Sequence, residues 1–153
     1  SQILIGHKVG AKDFDGAYKQ CYRAFFISLS ISMTTSLIGI LFRSQLIGLF
    51  SQDPQVIELG STLIMLNIFV EIGRTSNLVI INSLRGAGDV IFPTGAAIFS
   101  MWVISTGGSY LLAVVLNMGI SGLWIAFAAD ECFRGILMLW RWHSRKWNKP
   151  IWI

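Results

Sequence analysis

The sequence predicts an all-α, polytopic membrane helix bundle with four transmembrane helices, preceded by the stub of another helix and an interfacial helix. Composition is the first observation behind this prediction: 54% of the 153 residues are hydrophobic and only 13% are charged. Soluble domains carry about 25% charged residues, so this chain has too few charges to cover a surface that faces water, and a membrane protein is the first interpretation. The second observation is that four apolar segments are each long enough to cross a bilayer core of about 30 Å as a helix.

Polar breaks with helix punctuation separate these segments, which cover about residues 25–50, 56–83, 91–116 and 120–142. In the first break, Asp53 is a predicted N-cap and Pro54 stands at the first helical position, where its missing N–H costs nothing. The second break, 84–95, places two glycines beside Asp89, and the third, 116–122, is short and uncharged. Short connections between long helices predict antiparallel neighbours.

The beginning of the chain predicts a piece of a longer protein. Ser1 stands where a complete chain would begin with Met, and only the six residues SQILIG precede the first charged cluster. Six residues are too few for a span or a signal peptide. We therefore expect the C-terminal part of a membrane lobe, with an N-terminal lobe missing. From Phe14 to Phe25 apolar residues recur at spacings of three and four, so we expect an interfacial helix, capped by Asp13 or Asp15, that runs into the first span.

Basic residues predict the orientation of the spans. They precede the first span, follow the second and follow the fourth: Lys8, Lys12, Lys19, Arg23, Arg85, Arg141, Arg145, Lys146 and Lys149. The positive-inside rule puts these segments, and the C-terminus, on the cytoplasmic side of the membrane. Tryptophans among these charges predict an interfacial anchor formed by Trp140, Trp142, Trp147 and Trp152. Because topology explains the net charge of +4, we expect no nucleic-acid partner.

Two charges lie near the middle of the second span. Glu71 and Arg74 are three residues apart on one helical face, so they can pair. Each costs about 2.5–3.5 kcal/mol at the bilayer centre, and pairing lowers this cost. Asn67 lies one turn before Glu71 and extends the same polar face.

The fourth span repeats this pattern with Asp130, Glu131 and Arg134. Arg134 can bond either carboxylate, which leaves one acid without a partner unless Arg74 or a proton neutralises it. Two hypotheses stay open. The charges form internal salt bridges that lock two helices together, or they line a water-accessible cavity and bind a cation or proton, and the two are not exclusive. A surplus carboxylate in a medium of low dielectric constant takes up a proton more readily than one in water. The candidate binding residues are Glu71, Asp130, Glu131 and Asn67.

Other patterns carry less information about function. In the first span, small residues at Ser28, Ser32, Ser36 and Gly39 predict close helix packing rather than a substrate site. The two cysteines and two histidines have no metal-ligand spacing, so we expect no metal. There is no HExxH, GxSxG or P-loop motif, so we expect no enzymatic activity.

Four stretches of the chain resemble the C-terminal half of multidrug and toxic compound extrusion (MATE) transporters. The most specific is 84-LRGAGDVIFPTG-95, which is similar to the family's LRGxGD turn and contains Arg85, Gly86, Gly88 and Asp89. The others are 5-IGHKVGAKDFDGAYKQCYRAF-25, 48-GLFSQDPQVIELG-60 and 119-GISGLWIAFAADECFRGILMLWRWHSRKW-147. Together the four stretches run along nearly the whole chain, in the family's order.

This resemblance implies a twelve-helix plasma-membrane protein of two six-helix lobes. Such a protein exports small cationic organic compounds in exchange for H⁺ or Na⁺ and needs no cofactor besides the coupling ion. The spans here are then helices nine to twelve, the turn at 84–95 is cytoplasmic, and Glu71 is the acid of helix ten. In one branch of the family an aspartate stands where this chain has Arg74. Two alternatives stay open: a lipid-linked oligosaccharide flippase of the same superfamily, and a non-transporting membrane scaffold subunit.

Overall fold

The computed structural model of the chain describes residues 2–148. Lys149 and Trp152, two residues of the predicted basic and aromatic tail, lie outside this range. The main elements within it are α1 (Gln2–Gly10), α2 (Phe14–Leu41), α3 (Arg43–Gly48), α4 (Pro54–Gly86), α5 (Ile91–Val115) and α6 (Gly119–His143). Residues 2–148 contain no strand, so the all-α prediction is confirmed.

Within residues 2–148, three helices are long and apolar enough to cross a membrane: α2, α4 and α5, with 28, 33 and 25 residues. Helix α6, with 25 residues, lies where the fourth span was predicted. Its length suffices, but Asp130, Glu131 and Arg134 lie in its middle, so composition alone does not mark it as a span. Long helices suit a bilayer because they satisfy their backbone hydrogen bonds internally.

The first span continues from the predicted interfacial helix but ends earlier than the predicted residue 50. The predicted interfacial helix and the span are one continuous helix, α2, which begins where Asp13 Oδ1 accepts a hydrogen bond from the Gly16 backbone N–H at 2.9 Å. Asp13, and not Asp15, is therefore the cap. The helix ends at Leu41 rather than near residue 50, because Phe42 leaves the helical conformation at φ −102° and ψ 14°. The remaining apolar residues form the separate short helix α3.

Helix α4 begins as predicted and ends in a glycine-containing turn. The Asp53 side chain accepts a hydrogen bond from the Gln55 backbone N–H at 3.0 Å, and Pro54 is the first helical residue. After α4, Gly88 adopts φ +93°, a left-handed conformation that glycine enters without steric cost. This turn reverses the chain into α5, which is α-helical to Ser100 and mostly π-helical beyond it.

The hydrophobic core lies at one end of the bundle, where α1, the beginning of α2 and the ends of α4 and α6 meet. Its buried members are Ile5, Ala17, Cys21, Phe25, Ile80, Leu84, Met138, Trp142 and Trp147. Because these helix ends meet, the basic segments predicted to share one side of the membrane lie, as far as residue 148, at the same end of the bundle.

The prediction of a tryptophan anchor is wrong for Trp142 and Trp147, which are core residues. Their rings stack at 4.4 Å between centroids, and Trp147 Nε1 donates to the Trp142 carbonyl oxygen at 3.0 Å. Helix α2 covers them, with Phe14 against Trp147 and Tyr18 stacked on Trp142. Trp140 remains exposed, with the Lys146 ammonium 4.8 Å from its ring centroid.

Candidate functional site

The charged residues within the spans form two groups, and the two groups lie on different sides of α4. Gly73 faces α6, because a Cβ atom added there would lie only 2.6 Å from the Cys132 backbone nitrogen. Asn77 follows one helical turn later on the same face. Glu71 precedes Gly73 by two residues, which is a rotation of about 200° around the helix. Glu71 therefore points away from α6, and the structure does not bring it together with the acids of that helix.

The first group is a buried network formed by Asn77, Ser100, Asp130, Glu131 and Arg134. Arg134 Nη2 donates to Asp130 Oδ2 at 2.6 Å and to Glu131 Oε1 at 2.9 Å. Ser100 Oγ donates to the other Asp130 oxygen, and Asn77 Nδ2 donates to the other Glu131 oxygen at 3.2 Å. The network therefore connects α4, α5 and α6 through side chains.

Two carboxylates share one guanidinium in this buried network. Ionised, it carries one surplus negative charge, and among the described residues Arg74 forms no salt bridge with it. All four carboxylate oxygens nevertheless have a donor. Arg134 Nε and Asn77 Oδ1 have no partner within residues 2–148. Both ion pairs lie within α6, so the hydrogen bonds from Asn77 and Ser100 are the contacts of this network that hold α4 and α5 against α6.

The second group lies in a cleft between α2 and α4. The cleft has a volume of about 400 Å³ and is lined by Ile31, Ser32, Thr35, Ser36, Gly39, Leu46, Ile64, Asn67 and Glu71. Glu71 is the one charged residue among these lining residues. The small residues of α2 make a close contact at one level, where Ser32 Oγ lies 2.8 Å from Thr75 Oγ1. Beyond this contact Ser36 and Gly39 border open space, so the predicted close packing does not extend along the whole stripe.

Arg74 forms an ion pair with Glu71 beside this cleft. Its Nη1 atom donates to Glu71 Oε1 at 3.1 Å, and the side chains are 44% and 24% exposed. A charge in the hydrocarbon core costs about 2.5–3.5 kcal/mol. An exposed pair in the middle of a long apolar helix therefore indicates that water or further protein, and not lipid chains, covers this face of α4.

The glycine-rich turn between α4 and α5 is fixed to the end of α6. Asp89 is buried, and its Oδ2 atom accepts a hydrogen bond from Arg141 Nε at 2.7 Å. The Arg141 guanidinium also lies 4.7 Å from the centroid of the Phe92 ring. Gly86 allows α1 to approach, because a Cβ atom there would lie 2.7 Å from the Gln2 carbonyl oxygen. Arg85 is exposed. The sequence of this turn alone does not predict the ion pair between Asp89 and Arg141.

Sequence reasoning missed two polar partners in these groups. Ser100 is the first: a hydroxyl in an apolar span is a signal of a helix–helix hydrogen bond, but it does not indicate the partner. Arg141 is the second, because the sequence pattern indicates only a basic residue of the membrane boundary. Its partner lies 52 residues away in sequence, and no local spacing indicates such a pair.

Comparison with known proteins identifies the family. The MatE family model matches residues 1–111, which is more than half of the chain. The chain is 48% identical over 147 residues to "Uncharacterized transporter YisQ" of Bacillus subtilis (strain 168), covering 96% of this chain and 32% of that protein.

More distant relatives carry names that describe drug resistance. Two are called "Probable multidrug resistance protein NorM": one from Mannheimia succiniciproducens, 29% identical over 91% of this chain, and one from Thermotoga maritima, 28% identical over 95%. The chain spans about a third of the length of these relatives (31% and 32%). The family match and the long apolar helices make this a multi-pass membrane protein, and the chain belongs to the MATE family of membrane transporters.

Proposed function

We propose that this chain is the C-terminal part of a two-lobed secondary transporter, which exports small cationic organic compounds in exchange for H⁺ or Na⁺. The family match supports transport, and the relatives named as multidrug resistance proteins support organic substrates. The share of these relatives that the chain covers, about a third, supports a further lobe in the working protein. Transporters built from repeated lobes expose a central site alternately to the two sides of the membrane.

The observation that carries the proposal is the position of Glu71 in the α2–α4 cleft. Its carboxylate supplies the charge that attracts a cation, and Asn67 and the Ser32 and Ser36 hydroxyls supply polar contacts around it. The apolar lining residues, such as Ile31 and Ile64, suit the hydrocarbon part of an organic cation. Sites of this kind are mostly apolar with a few polar groups that orient the ligand.

Exchange follows when two cations compete for the same carboxylate. Arg74 Nη1 donates to Glu71 Oε1 in this structure, so an incoming drug or coupling ion competes with the guanidinium for the carboxylate. A drug and a coupling ion cannot both neutralise one carboxylate, so binding of one favours release of the other. In this proposal Asp130 and Glu131 do not bind the drug, since each of their oxygens already has a donor inside the buried network.

The two alternatives explain the cleft less well. A lipid-linked oligosaccharide carries phosphate groups, so its flippase needs a cavity rich in arginine, whereas the charged group lining this cleft is a carboxylate. A scaffold subunit needs only internal pairing of its charges. The buried network fits that role, but a scaffold role gives no reason for a partly exposed carboxylate, Glu71, in an open cleft.

We also propose a plasma-membrane location with a cytoplasmic C-terminus. The support is the common position of the basic segments at one end of the bundle, together with the positive-inside rule. This puts the turn with Arg85 and Asp89 on the cytoplasmic side and the Asp53 turn on the opposite side.

The test is export by the complete gene product with Glu71→Gln. Proteoliposomes or cells loaded with ethidium are given an imposed pH or Na⁺ gradient, and the initial efflux rate is measured at equal amounts of membrane-inserted protein. We expect Glu71→Gln to abolish gradient-driven efflux. Glu58→Gln, an exposed acid near the beginning of the same helix, is the matched control and should leave efflux unchanged. Normal gradient-driven efflux by Glu71→Gln would overturn the proposal.

The two-lobed arrangement has an independent test. An antibody against the tail sequence RWHSRKWNKPIWI should detect a native protein of about three times the 17.0 kDa of this chain, because the chain covers 32% of a related transporter. A native band at the chain's own mass would contradict the two-lobed arrangement while leaving the role of Glu71 to the efflux assay.

A further inference from the structure

We infer that one exposed face of α2 binds an anionic phospholipid, with Lys19 and Arg23 on the headgroup and Phe26 and Ile27 along an acyl chain. Arg23 and Ile27 lie one and two turns beyond Lys19, with a drift of about 40° per turn, and Phe26 lies seven residues beyond Lys19 at about the same angle around the helix. All four are exposed, Phe26 by 60% and Ile27 by 53%. The face therefore changes from cationic to apolar along the helix axis.

Lys19 and Arg23 remain available because the acids near them have other partners. At this end of the bundle, Asp13 pairs with Lys8, Asp15 with Arg145 and Asp89 with Arg141. Asp15 lies one turn before Lys19, but its Oδ1 atom accepts from Arg145 Nη1 at 2.9 Å. Within the described range, neither Lys19 nor Arg23 forms a salt bridge.

The length of the face fits within half of a bilayer. Lys19 and Ile27 are eight residues apart, which is about 12 Å along a helix. Half of the hydrocarbon core is about 15 Å thick. When Lys19 and Arg23 lie at headgroup level, Phe26 and Ile27 therefore lie beside the upper part of the acyl chains.

The chemistry selects an acidic headgroup. Side chains one turn apart have Cβ atoms about 5–6 Å apart, so an ammonium and a guanidinium can contact one phosphate together. Phosphatidylglycerol offers such a phosphate with a net negative charge. Phosphatidylcholine carries its own cation beside the phosphate, which competes with the protein's cations. This inference depends on the membrane placement of α2 and not on the proposed export function.

The test uses the complete protein, purified in detergent and titrated with short-chain phosphatidylglycerol. Binding is read by native mass spectrometry and by the shift of the thermal unfolding midpoint. We expect the paired variant Lys19→Gln/Arg23→Gln to bind phosphatidylglycerol on the order of 30-fold more weakly, since each of the two cations contributes about 1 kcal/mol near an acidic headgroup. The charge-preserving pair Lys19→Arg/Arg23→Lys should bind like the wild type.

The control variant Lys12→Gln/Lys146→Gln removes the same charge from exposed positions at the same end of the bundle. It should keep wild-type binding, and equal losses in both paired variants would overturn the site in favour of diffuse attraction. Phosphatidylcholine and soluble glycerol phosphate should not reproduce the midpoint shift. A wild-type protein that does not distinguish phosphatidylglycerol from phosphatidylcholine, or that responds equally to glycerol phosphate, would also overturn the inference.

Discussion

The Nε atom of Arg141 donates to Oδ2 of Asp89 at 2.7 Å, and this buried ion pair connects the α4–α5 turn to the end of α6. We expect Asp89→Ala to destabilise the protein by about 3–5 kcal/mol, because it leaves the Arg141 charge buried without a partner. The measurement is unfolding of the detergent-solubilised protein by denaturant.

The exposed pair formed by Asp15 and Arg145 is the control for this prediction. Its side chains are 75% and 49% exposed, so Asp15→Ala should cost no more than about 1 kcal/mol. Equal losses for Asp15→Ala and Asp89→Ala would show that burial does not determine the strength of these pairs.

The close contact between α4 and α6 depends on Gly73. In Gly73→Ala the new methyl group would lie 2.6 Å from the Cys132 backbone nitrogen, and backbone cannot move aside as a flexible side chain can. We expect a loss of about 1–3 kcal/mol from this overpacking. Gly95→Ala in α5 is the matched control, since nothing lies within 4 Å of the added atom. That substitution should be neutral or stabilising by about 0.5–1 kcal/mol. Thermal unfolding of both variants, side by side, distinguishes a steric effect from a general intolerance of alanine.

Arg134 balances the charges of Asp130 and Glu131, so we expect removal of all three charges to restore the stability that is lost when Arg134 alone is removed. Arg134→Met leaves two carboxylates without a counter-charge and should cost about 3–5 kcal/mol. Adding Asp130→Asn and Glu131→Gln to Arg134→Met removes both charges and should restore most of that stability. Denaturant unfolding of the single and triple variants is the measurement. A triple variant less stable than Arg134→Met would show that hydrogen bonds, rather than charge balance, dominate the network.

Two asparagines of α4 provide a test of the cleft. Asn67 lines it, whereas Asn77 is 5% exposed and bonded to Glu131. In a background with Cys21→Ala and Cys132→Ser, we expect Asn67→Cys to react with a membrane-impermeant maleimide and Asn77→Cys to be protected. Val70→Cys, at a fully buried position of the same helix, is a second protected control in case Asn77→Cys disturbs the network. Protection of Asn67→Cys from both sides of the membrane would contradict a water-accessible cleft.

Local sequence patterns were sufficient for the helices and for contacts within one helix. The cap at Asp53 and the first-turn proline follow from residue types in adjacent positions, and both are present. Spacing of three and four residues is likewise enough to bring Arg74 to Glu71 and Arg134 to its two acids. These contacts depend only on helix geometry, which a sequence determines without knowledge of the tertiary fold.

Local sequence patterns did not predict the contacts between helices. Ser100 reaches Asp130, and Arg141 reaches Asp89, only because particular helix faces meet, and the rotation of a helix depends on its packing partners. The interpretation of Trp142 and Trp147 failed for the same reason. Aromatic residues among basic ones are typical of a membrane boundary, but here α2 buries both rings.

The position of the core at one end of the bundle has a mechanical consequence. Helix α4 has 33 residues and is therefore about 50 Å long, and its core residues Ile80 and Leu84 lie close to its C-terminal end. A tilt of α4 about this hydrophobic core would therefore have its pivot near one end of the helix. A tilt of only about 5° there would move the Asp53 end by about 4 Å, because displacement grows with distance along a rigid rod of 1.5 Å per residue. If repacking around Trp142 let α4 tilt, the displacement would be largest at the distant end of the bundle.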